Sequence, residues 1–378
     1  MDLPVTSSLQ AVFSATPTDA PVIVSVFLRG GADGLHLIPP VEDDAYHQAR
    51  PAIAVKKSDA LRLDGFFGLH PDLAPLLPLY RDGELAVVHQ TGTPDSSLSH
   101  FEAEDMLHFG GRQGGGWLGR FLHHTRNTED GPLTAVSIGP AVSDSLRGAP
   151  ATALRSVEEF AFPEKDPAMR GQLDTLYQRT GGVLGAAAAQ TLQALQRIDS
   201  LRKAADAPAN DAEYGQDDFS RGLRLLARLI RARVGVRAAT IELGGWDSHF
   251  TQLTLTGTLM PRLASGLAAF HKDLGKDMAR VSVVAVSEFG RRVAQNFSIG
   301  TDHGKGGVML VLGGGTKGGK VLADWPKGGL KEHSLDADGN LPVRHHTHHA
   351  LTAVLRRLRP DADMAKVFPD WQPGSLEI

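Results

Sequence analysis

Two short motifs each place an Asp and a His beside glycines. Asp247 and His249 stand in GGWDSH at residues 244–249, and Asp302 and His303 are adjacent in GTDHG at residues 300–304. Carboxylate and imidazole groups are common ligands of zinc and related divalent cations. The glycines allow the backbone to bend so that both side chains of a motif face one ion. The motifs therefore predict a metal site, the alternative for Asp247 being a cap of the following helix.

Three further charged residues also lie close to glycines in the sequence. Asp33 lies between glycines in GGADG, and Glu288 and Arg291 lie in SEFGRR. Asp33 and Glu288 offer oxygen ligands to a cation, and Arg291, with Arg29 as the alternative, is a candidate to hold the oxygens of an anion. The alternatives are a turn in which Asp33 binds its own backbone and surface ion pairs for Glu288 and Arg291.

A serine at the start of a predicted helix is the candidate nucleophile. Ser99 precedes Glu102 by three residues in SSLSHFE, a spacing typical of a capping box. The same position lies at the positive end of the helix dipole, where a nearby cation would lower the hydroxyl pKa and favour attack on a substrate. The histidines of HHTHH at 345–349 could add a ligand or form a solvated first helical turn.

The elements that must position these residues alternate along the chain. Short apolar runs predict strands at 22–28, 85–89, 134–138, 237–243, 281–286 and 308–312. Helical patterns cover 73–80, 100–109, 187–205, 219–234, 252–274 and 346–358. This order predicts an α/β fold with a mostly parallel central sheet flanked by helices. Ligands of such sheets bind at the carboxyl ends of the strands, which most of the candidate residues follow.

The length of 378 residues is interpreted as a single domain, 1–378. Within it, 1–20 is predicted to be a flexible leader without the features of a signal peptide, and about 141–234 a helical insertion. A net charge of −4 argues against a nucleic-acid partner, and zero cysteines exclude disulfides and thiolate metal sites. The sequence contains no apolar run long enough to predict a membrane span.

Five motifs in this order, FLRGGADGL, SHFEAEDM, GGWDSH, SEFGR and GTDHG, resemble a bacterial sulfatase-like family called domain of unknown function 1501. That family is itself similar to the alkaline phosphatase superfamily. The resemblance implies an alkaline-phosphatase-like fold and a metal-dependent hydrolase of phosphate or sulfate esters, with Ser99 as nucleophile and Ser97 as the alternative. It implies ligation by Asp33, Asp247, His249, Asp302 and His303 of one or two divalent ions, zinc or manganese.

The same resemblance implies a periplasmic protein whose substrate is a small-molecule or glycan ester. A second interpretation stays open: a non-catalytic protein that binds a metal or another ligand on the same scaffold. A protein partner, to which the helical insertion would offer a surface, fits this second interpretation.

Overall fold

The computed structural model describes residues 19–93, 97–111, 114–126, 130–156, 207–372, 374 and 376–378, together with scattered positions between 171 and 202. The predicted leader lies outside these residues except for its last two positions. The predicted helix over 187–205 also lies largely outside them.

A nine-stranded sheet forms the centre of the protein. Its strands are β1 (Val22–Phe27), β4 (Leu85–Gly92), β5 (Ala135–Ile138), β6 (Thr152–Leu154), β7 (Ala238–Glu242), β8 (Val281–Val286), β11 (Gly307–Gly313), β12 (Val321–Leu322) and β13 (His345–His346). Two short hairpins lie outside it, β2 (Leu61–Arg62) with β3 (Gly68–Leu69), and β9 (Gly290–Arg291) with β10 (His303–Gly304).

The strand order is β12-β4-β11-β8-β1-β7-β5-β6, and β13 pairs with β4 beyond this path. Within this sheet β11 alone runs antiparallel to its neighbours. Every residue of β1 and β8 is buried, as expected of strands that are covered on both faces. The predicted α/β fold with a mainly parallel sheet is therefore confirmed.

Helices cover both faces of this sheet. They are α1 (Gly34–Leu37), α2 (Asp44–Ala49), α3 (Leu77–Arg81), α4 (His100–Phe109), α5 (Trp117–His124), α6 (Asp218–Arg231), α7 (Gln252–Leu274), α8 (Thr347–Leu358) and α9 (Met364–Val367). Short 3-10 helices cover Pro71–Leu76, Asp144–Leu146, Gly275–Arg280 and Glu332–Ser334. The predicted helices over 100–109 and 252–274 have the same bounds in the structure.

Alternate residues of the strands enter two apolar cores. Val24 of β1 packs in the core that contains α6 and α7, whereas Ile23 packs in the core that contains α5, α8 and α9. This period of two follows from the pleat of a strand. Within the predicted insertion, β6 pairs with β5 at the sheet edge and α6 packs against α7. The single-domain interpretation stays a prediction.

The loops that follow β1 and β7 touch closely at the carboxyl edge of the sheet. Gly30 has a φ of +119°, and a Cβ atom placed there would lie 2.5 Å from the backbone nitrogen of Asp247. An L side chain would therefore be strained in conformation and would also clash with the neighbouring loop. This contact holds Asp247 directly beyond the end of β1. Among the described residues, no helix has both the length and the apolar character to cross a membrane.

Candidate functional site

Three histidines converge on the carboxylate of Asp247 at the carboxyl edge of the sheet. Asp247 and His249 follow β7, His100 is the first residue of α4, and His303 lies in β10. The Nε2 atoms of His249 and His303 lie 3.1 and 3.3 Å from Asp247 Oδ1, and 2.9 Å from each other. His100 Nε2 lies 3.6 Å from Asp247 Oδ2. We call these four residues the His-Asp cluster.

A backbone carbonyl fixes the tautomer of His303. Its Nδ1 lies 2.7 Å from the carbonyl oxygen of Leu98. Because a carbonyl oxygen only accepts hydrogen bonds, Nδ1 must carry the proton. Burial lowers the pKa of His303, which favours the neutral ring. In that ring Nε2 has no proton and presents a lone pair to His249 and Asp247.

Two carboxylates orient the other histidines in the same way. Asp302 Oδ1 lies 3.1 Å from Nδ1 of His249, and Glu288 Oε1 lies 2.8 Å from Nδ1 of His100. Each carboxylate accepts a hydrogen bond from Nδ1–H, which selects the tautomer whose Nε2 carries a lone pair and faces the cluster. Nε2 of His100 is buried and has no hydrogen-bond partner.

Three imidazole lone pairs and a carboxylate therefore face one another. Such groups repel unless positive charge lies between them, either as protons at low pH or as a metal cation. Nitrogen donors whose opposite ring nitrogens are held by carboxylates or carbonyls are the usual arrangement of histidine metal ligands. The donor set of the His-Asp cluster fits a divalent cation by this criterion, and His100, Asp247 and His303 place one ligand atom each within 4.8 Å of the others.

Arg291 lies beneath the cluster and is 1% exposed. Its Nε donates to the carbonyl oxygen of Gly31 at 2.7 Å, Nη1 donates to that of Thr301 at 2.8 Å, and Nη2 donates to that of Gly30 and, at 2.7 Å, to Asp247 Oδ1. The guanidinium thus ties the loops together. Because Arg291 is buried and its donors bind the loops and Asp247, the structure does not place it as the predicted clamp for the anion of a substrate.

The same guanidinium keeps Asp247 ionised. Burial raises the pKa of Asp247, but the hydrogen bond and charge of Arg291, together with His249, outweigh burial and lower the pKa overall. Asp247 is therefore a carboxylate at neutral pH, although half of its side chain reaches solvent. An ionised ligand is ready to bind a cation without first losing a proton.

Asp33 does not join the cluster. It is buried, and its carboxylate accepts from Arg50 at 2.6 and 3.1 Å and from Gln252 Nε2 at 2.7 Å. Burial raises the pKa of Asp33, but the charge and hydrogen bonds of Arg50 lower it below its ordinary value. Asp33 also caps α1 through the backbone nitrogen of Leu35. The structure therefore gives Asp33 an internal ion pair in place of the predicted metal ligation.

Replacing Asp33 by alanine is expected to lower the free energy of unfolding by about 3–5 kcal/mol, because Arg50 would stay buried without a partner. The metal content of the folded variant should equal that of the unchanged protein. Chemical denaturation and elemental analysis measure the two quantities, and Asp338→Ala, at an exposed position, is the control. Loss of the metal from a folded Asp33→Ala protein would restore Asp33 to the ligand set.

Glu288 and Asp302 contact the Nδ1 atoms of His100 and His249 and not the Nε2 atoms that face the cluster. Glu288 is 1% exposed and also accepts from the backbone nitrogen of Gly30 and from Ser287 Oγ, each at 2.8 Å. A hydrogen bond from Asn296, together with His249, lowers the pKa of Asp302 and keeps it an acceptor. Both residues were predicted as ligands, and the structure places them where they orient His100 and His249.

The variant Asp302→Ala is expected to bind the metal with about 10–100-fold lower affinity and unchanged stoichiometry at saturation. The reason is that His249 would lose the acceptor that fixes its tautomer while its Nε2 remains. Metal titration monitored by calorimetry measures this change. Complete loss of binding would show that Asp302 is itself a ligand.

Ser99 is the N-cap residue of α4, but its side chain makes no capping hydrogen bond. The capping box suggested by the spacing to Glu102 is therefore not formed. Ser99 stands between Leu98, whose carbonyl binds His303, and His100 of the cluster. The alternative, Ser97, uses its Oγ to accept from the backbone nitrogen of Ser99 at 3.1 Å. The hydroxyl of Ser99 is therefore not used as a cap of α4.

The histidines at 345–349 pack elsewhere. The rings of His346 and His349 stack at 4.9 Å, and His348 packs against Trp371 at 5.0 Å. Burial lowers the pKa of His348 to about 3. Within the described residues, none of these four histidines joins a group of three or more metal-ligand side chains.

The sequence motifs did not identify His100 as a member of the site. Its position directly after Ser99, the candidate nucleophile, is the feature of the sequence that could have indicated it.

The fold and the site define an α/β protein with a candidate metal centre at the carboxyl ends of its strands. The chain belongs to the family described as "Protein of unknown function (DUF1501)", whose model matches residues 84–353. No curated protein sequence matches this chain.

Among solved structures, the chain is similar to "Crystal structure of Ps i-CgsB", with a TM-score of 0.38 and 9% identity over 81% of this chain and 69% of that one. The complex of that protein "with k-i-k-neocarrahexaose" gives 0.40 and 10% over 92% and 74%. "Structure of BT1596,a 2-O GAG sulfatase" gives 0.30 and 11% over 80% and 66%. At these scores the likeness decides nothing about the activity of this chain.

Proposed function

We propose that the protein is a metal-dependent hydrolase of phosphate or sulfate esters, in which Ser99 is the nucleophile. The observation that carries this proposal is the convergence of three imidazole Nε2 atoms on Asp247, next to the serine at the N-terminus of α4. This arrangement supports the alkaline-phosphatase-like chemistry that the sequence motifs imply.

The residues that would hold the metal are His100, Asp247, His249 and His303. Three nitrogen donors and one carboxylate suit zinc better than manganese, which prefers oxygen ligands. His100, Asp247 and His303 place one ligand atom each within 4.8 Å of the others, and the Nε2 of His249 lies 2.9 Å from that of His303, so the proposal is a single ion. When bound, the cation supplies Lewis acidity that stabilises an alkoxide and the oxygens of the ester.

Residues of this chain supply the remaining parts of the reaction. The Oγ of Ser99 forms a bond to phosphorus or sulfur while the bond to the alcohol of the ester breaks, and the proton of the serine hydroxyl passes to the departing alcohol. Water then attacks the phosphorus or sulfur and breaks its bond to Oγ, so that the phosphate or sulfate leaves and a proton returns to Ser99. The first backbone N–H groups of α4 have no partners within the helix and favour the negative oxygens of the ester. Arg291 positions Asp247 from below and does not touch the substrate in this proposal.

The test is the turnover of p-nitrophenyl phosphate and p-nitrophenyl sulfate by protein that has been stripped with a chelator and then given zinc or manganese. We expect no turnover of the stripped protein and recovery of turnover with zinc. A folded protein that holds one equivalent of zinc and cleaves neither ester, nor members of a wider ester panel, would favour the non-catalytic interpretation. The periplasmic location stays a prediction, which fractionation of the native cells tests.

A further inference from the structure

The ligands of the His-Asp cluster come from separate loops, whose separation must be fixed. Asp247 and His249 lie in the loop after β7, whereas His303 lies in the hairpin of β9 and β10. The Nε2 atoms of His249 and His303 lie only 2.9 Å apart. Because two nitrogen lone pairs at this distance repel each other when no cation lies between them, contacts outside the cluster must hold the two loops together.

Gln252 is the first residue of α7, is fully buried and contacts both loops. Its side-chain Oε1 accepts from the hydroxyl of Thr301 at 2.7 Å and from that of Ser248 at 3.3 Å. Thr301 belongs to the motif at 300–304, and Ser248 belongs to the motif at 244–249. One amide oxygen therefore bridges the two motifs that carry the candidate ligands.

The orientation of this amide is fixed by a third loop. Nε2 of Gln252 donates to Oδ2 of Asp33, in the loop after β1, at 2.7 Å. Because the ionised carboxylate of Asp33 only accepts hydrogen bonds, the amide nitrogen must face Asp33 and Oε1 must face the two hydroxyls. The backbone nitrogen of Gln252 also donates to the carbonyl oxygen of Ile299 at 3.0 Å. The main chain and the side chain of one residue thus hold the same loop.

The two ligand loops are also in direct backbone contact. The backbone nitrogen of Thr301 donates to the carbonyl oxygen of Ser248 at 3.1 Å. A Cβ atom at Gly300 would clash with the carbonyl carbon of His249. Since the loops are packed this closely, a displacement at Thr301 must also move the ligand residues that follow it or face it.

We propose that Gln252 is a positioning residue of the metal site, which holds the loop of His303 at a fixed distance from the loop of His249. Gln252 acts through Thr301 and Ser248 and touches neither the metal nor the substrate. Because its amide cannot move without breaking buried hydrogen bonds, the site is held ready before a cation binds. This inference rests on the metal site of the proposed function and adds a residue to the set that supports it.

The variant Thr301→Val tests this inference, since it removes one buried hydroxyl at nearly constant volume and leaves all of the proposed ligands in place. We expect it to bind zinc roughly 10-fold more weakly than the unchanged protein, at the same stoichiometry. Thr301→Ser keeps the hydroxyl and is expected to retain most of the affinity. Calorimetric titration of zinc into the full chain, stripped beforehand with a chelator, measures both variants.

Thr256→Val is the matched control. Thr256 is a buried residue of α7, and its Oγ1 donates to the carbonyl oxygen of Gln252 at 2.8 Å, a hydrogen bond within the helix. Both valine variants should lower the midpoint of thermal unfolding, whereas only Thr301→Val should weaken zinc binding. Equal zinc affinity of the folded Thr301→Val and Thr256→Val proteins would give the amide contact a purely structural role and overturn the inference.

Gln252→Met removes both hydrogen-bonding atoms of the side chain and should weaken zinc binding at least as much as Thr301→Val. The double variant should bind zinc as weakly as Gln252→Met alone, because Thr301 would have no amide oxygen left to lose. Fully additive losses would show that Thr301 acts independently of Gln252 and would overturn the inference. If Gln252→Met does not fold, Thr301→Val and Thr256→Val decide the matter.

The failure of this inference is distinct from the failure of the proposed function. If the unchanged protein binds no divalent cation, the proposed function fails, and crystal structures of the metal-free variants test the inference. The separation of the Nε2 atoms of His249 and His303 should then increase in Thr301→Val and stay the same in Thr256→Val, and an unchanged separation in both would overturn it. Weaker zinc binding by Thr301→Val alone, in a protein that cleaves no ester, supports Gln252 as a positioning residue and contradicts the hydrolase.

Discussion

Replacing His303 by alanine is expected to abolish stoichiometric metal binding and, with it, the hydrolysis of esters. His303 contributes the Nε2 that lies 2.9 Å from His249 Nε2 and 3.3 Å from Asp247, so its loss removes one of three nitrogen donors. The effect should exceed the 10–100-fold loss of affinity expected when an orienting group such as Asp302 is removed. Elemental analysis and metal titration of the purified variant measure it.

The matched control for this prediction is His333→Ala, because His333 is exposed and lies in a short 3-10 helix outside the cluster. This control should retain the metal and the activity of the unchanged protein. A His303→Ala variant that binds one equivalent of metal with unaltered affinity would contradict the ligand set proposed here.

Replacing Ser99 by alanine is expected to lower kcat on the order of 10⁴-fold or more while the metal content stays the same. The nucleophilic oxygen would be gone, whereas the His-Asp cluster would be intact. Because Ser99 makes no capping hydrogen bond, the variant should lose less stability than the typical ~1 kcal/mol of a removed N-cap. Kinetics with an aryl ester, elemental analysis and thermal unfolding together test this prediction.

Ser97→Ala serves as the comparison for Ser99→Ala. Ser97 accepts a hydrogen bond from the backbone nitrogen of Ser99, so its removal should loosen the turn and lower the rate only modestly. A Ser97→Ala variant without activity beside an active Ser99→Ala variant would assign the nucleophile to Ser97. Full activity of both variants would exclude a serine nucleophile at the start of α4.

The fold was accessible from the sequence because its strands are buried on both faces. In β8, for example, only one of six residues is not apolar, and such a run predicts a buried strand and not a loop. The motif at 244–249 was equally informative, because a loop after a parallel strand must lie at the edge where ligands bind. Contacts between side chains on different elements could not be predicted from the sequence in this way. The ion pair of Asp33 with Arg50 depends on how α2 packs, and the sequence around Asp33 shows only a turn.

The division of the site into ligands and orienting groups also required the structure. Asp247 and Asp302 both precede a histidine within two residues, yet one faces the cluster and the other holds Nδ1 of His249. This difference arises from the hairpin of β9 and β10, which turns His303 towards Leu98. His100 directly follows Ser99, so the start of α4 brings both residues to the same place, and the sequence alone does not show that the ring of His100 faces Asp247.

The measurement that tests the central claim most directly is the metal content of the full chain, purified without chelator or affinity nickel and reconstituted with zinc at neutral pH. The three lone pairs and Asp247 predict one tightly bound equivalent of zinc, displaced as the pH falls because protons compete for the same Nε2 atoms. A folded protein that retains no zinc, manganese or other divalent metal after reconstitution would contradict the metal site and the hydrolase built on it.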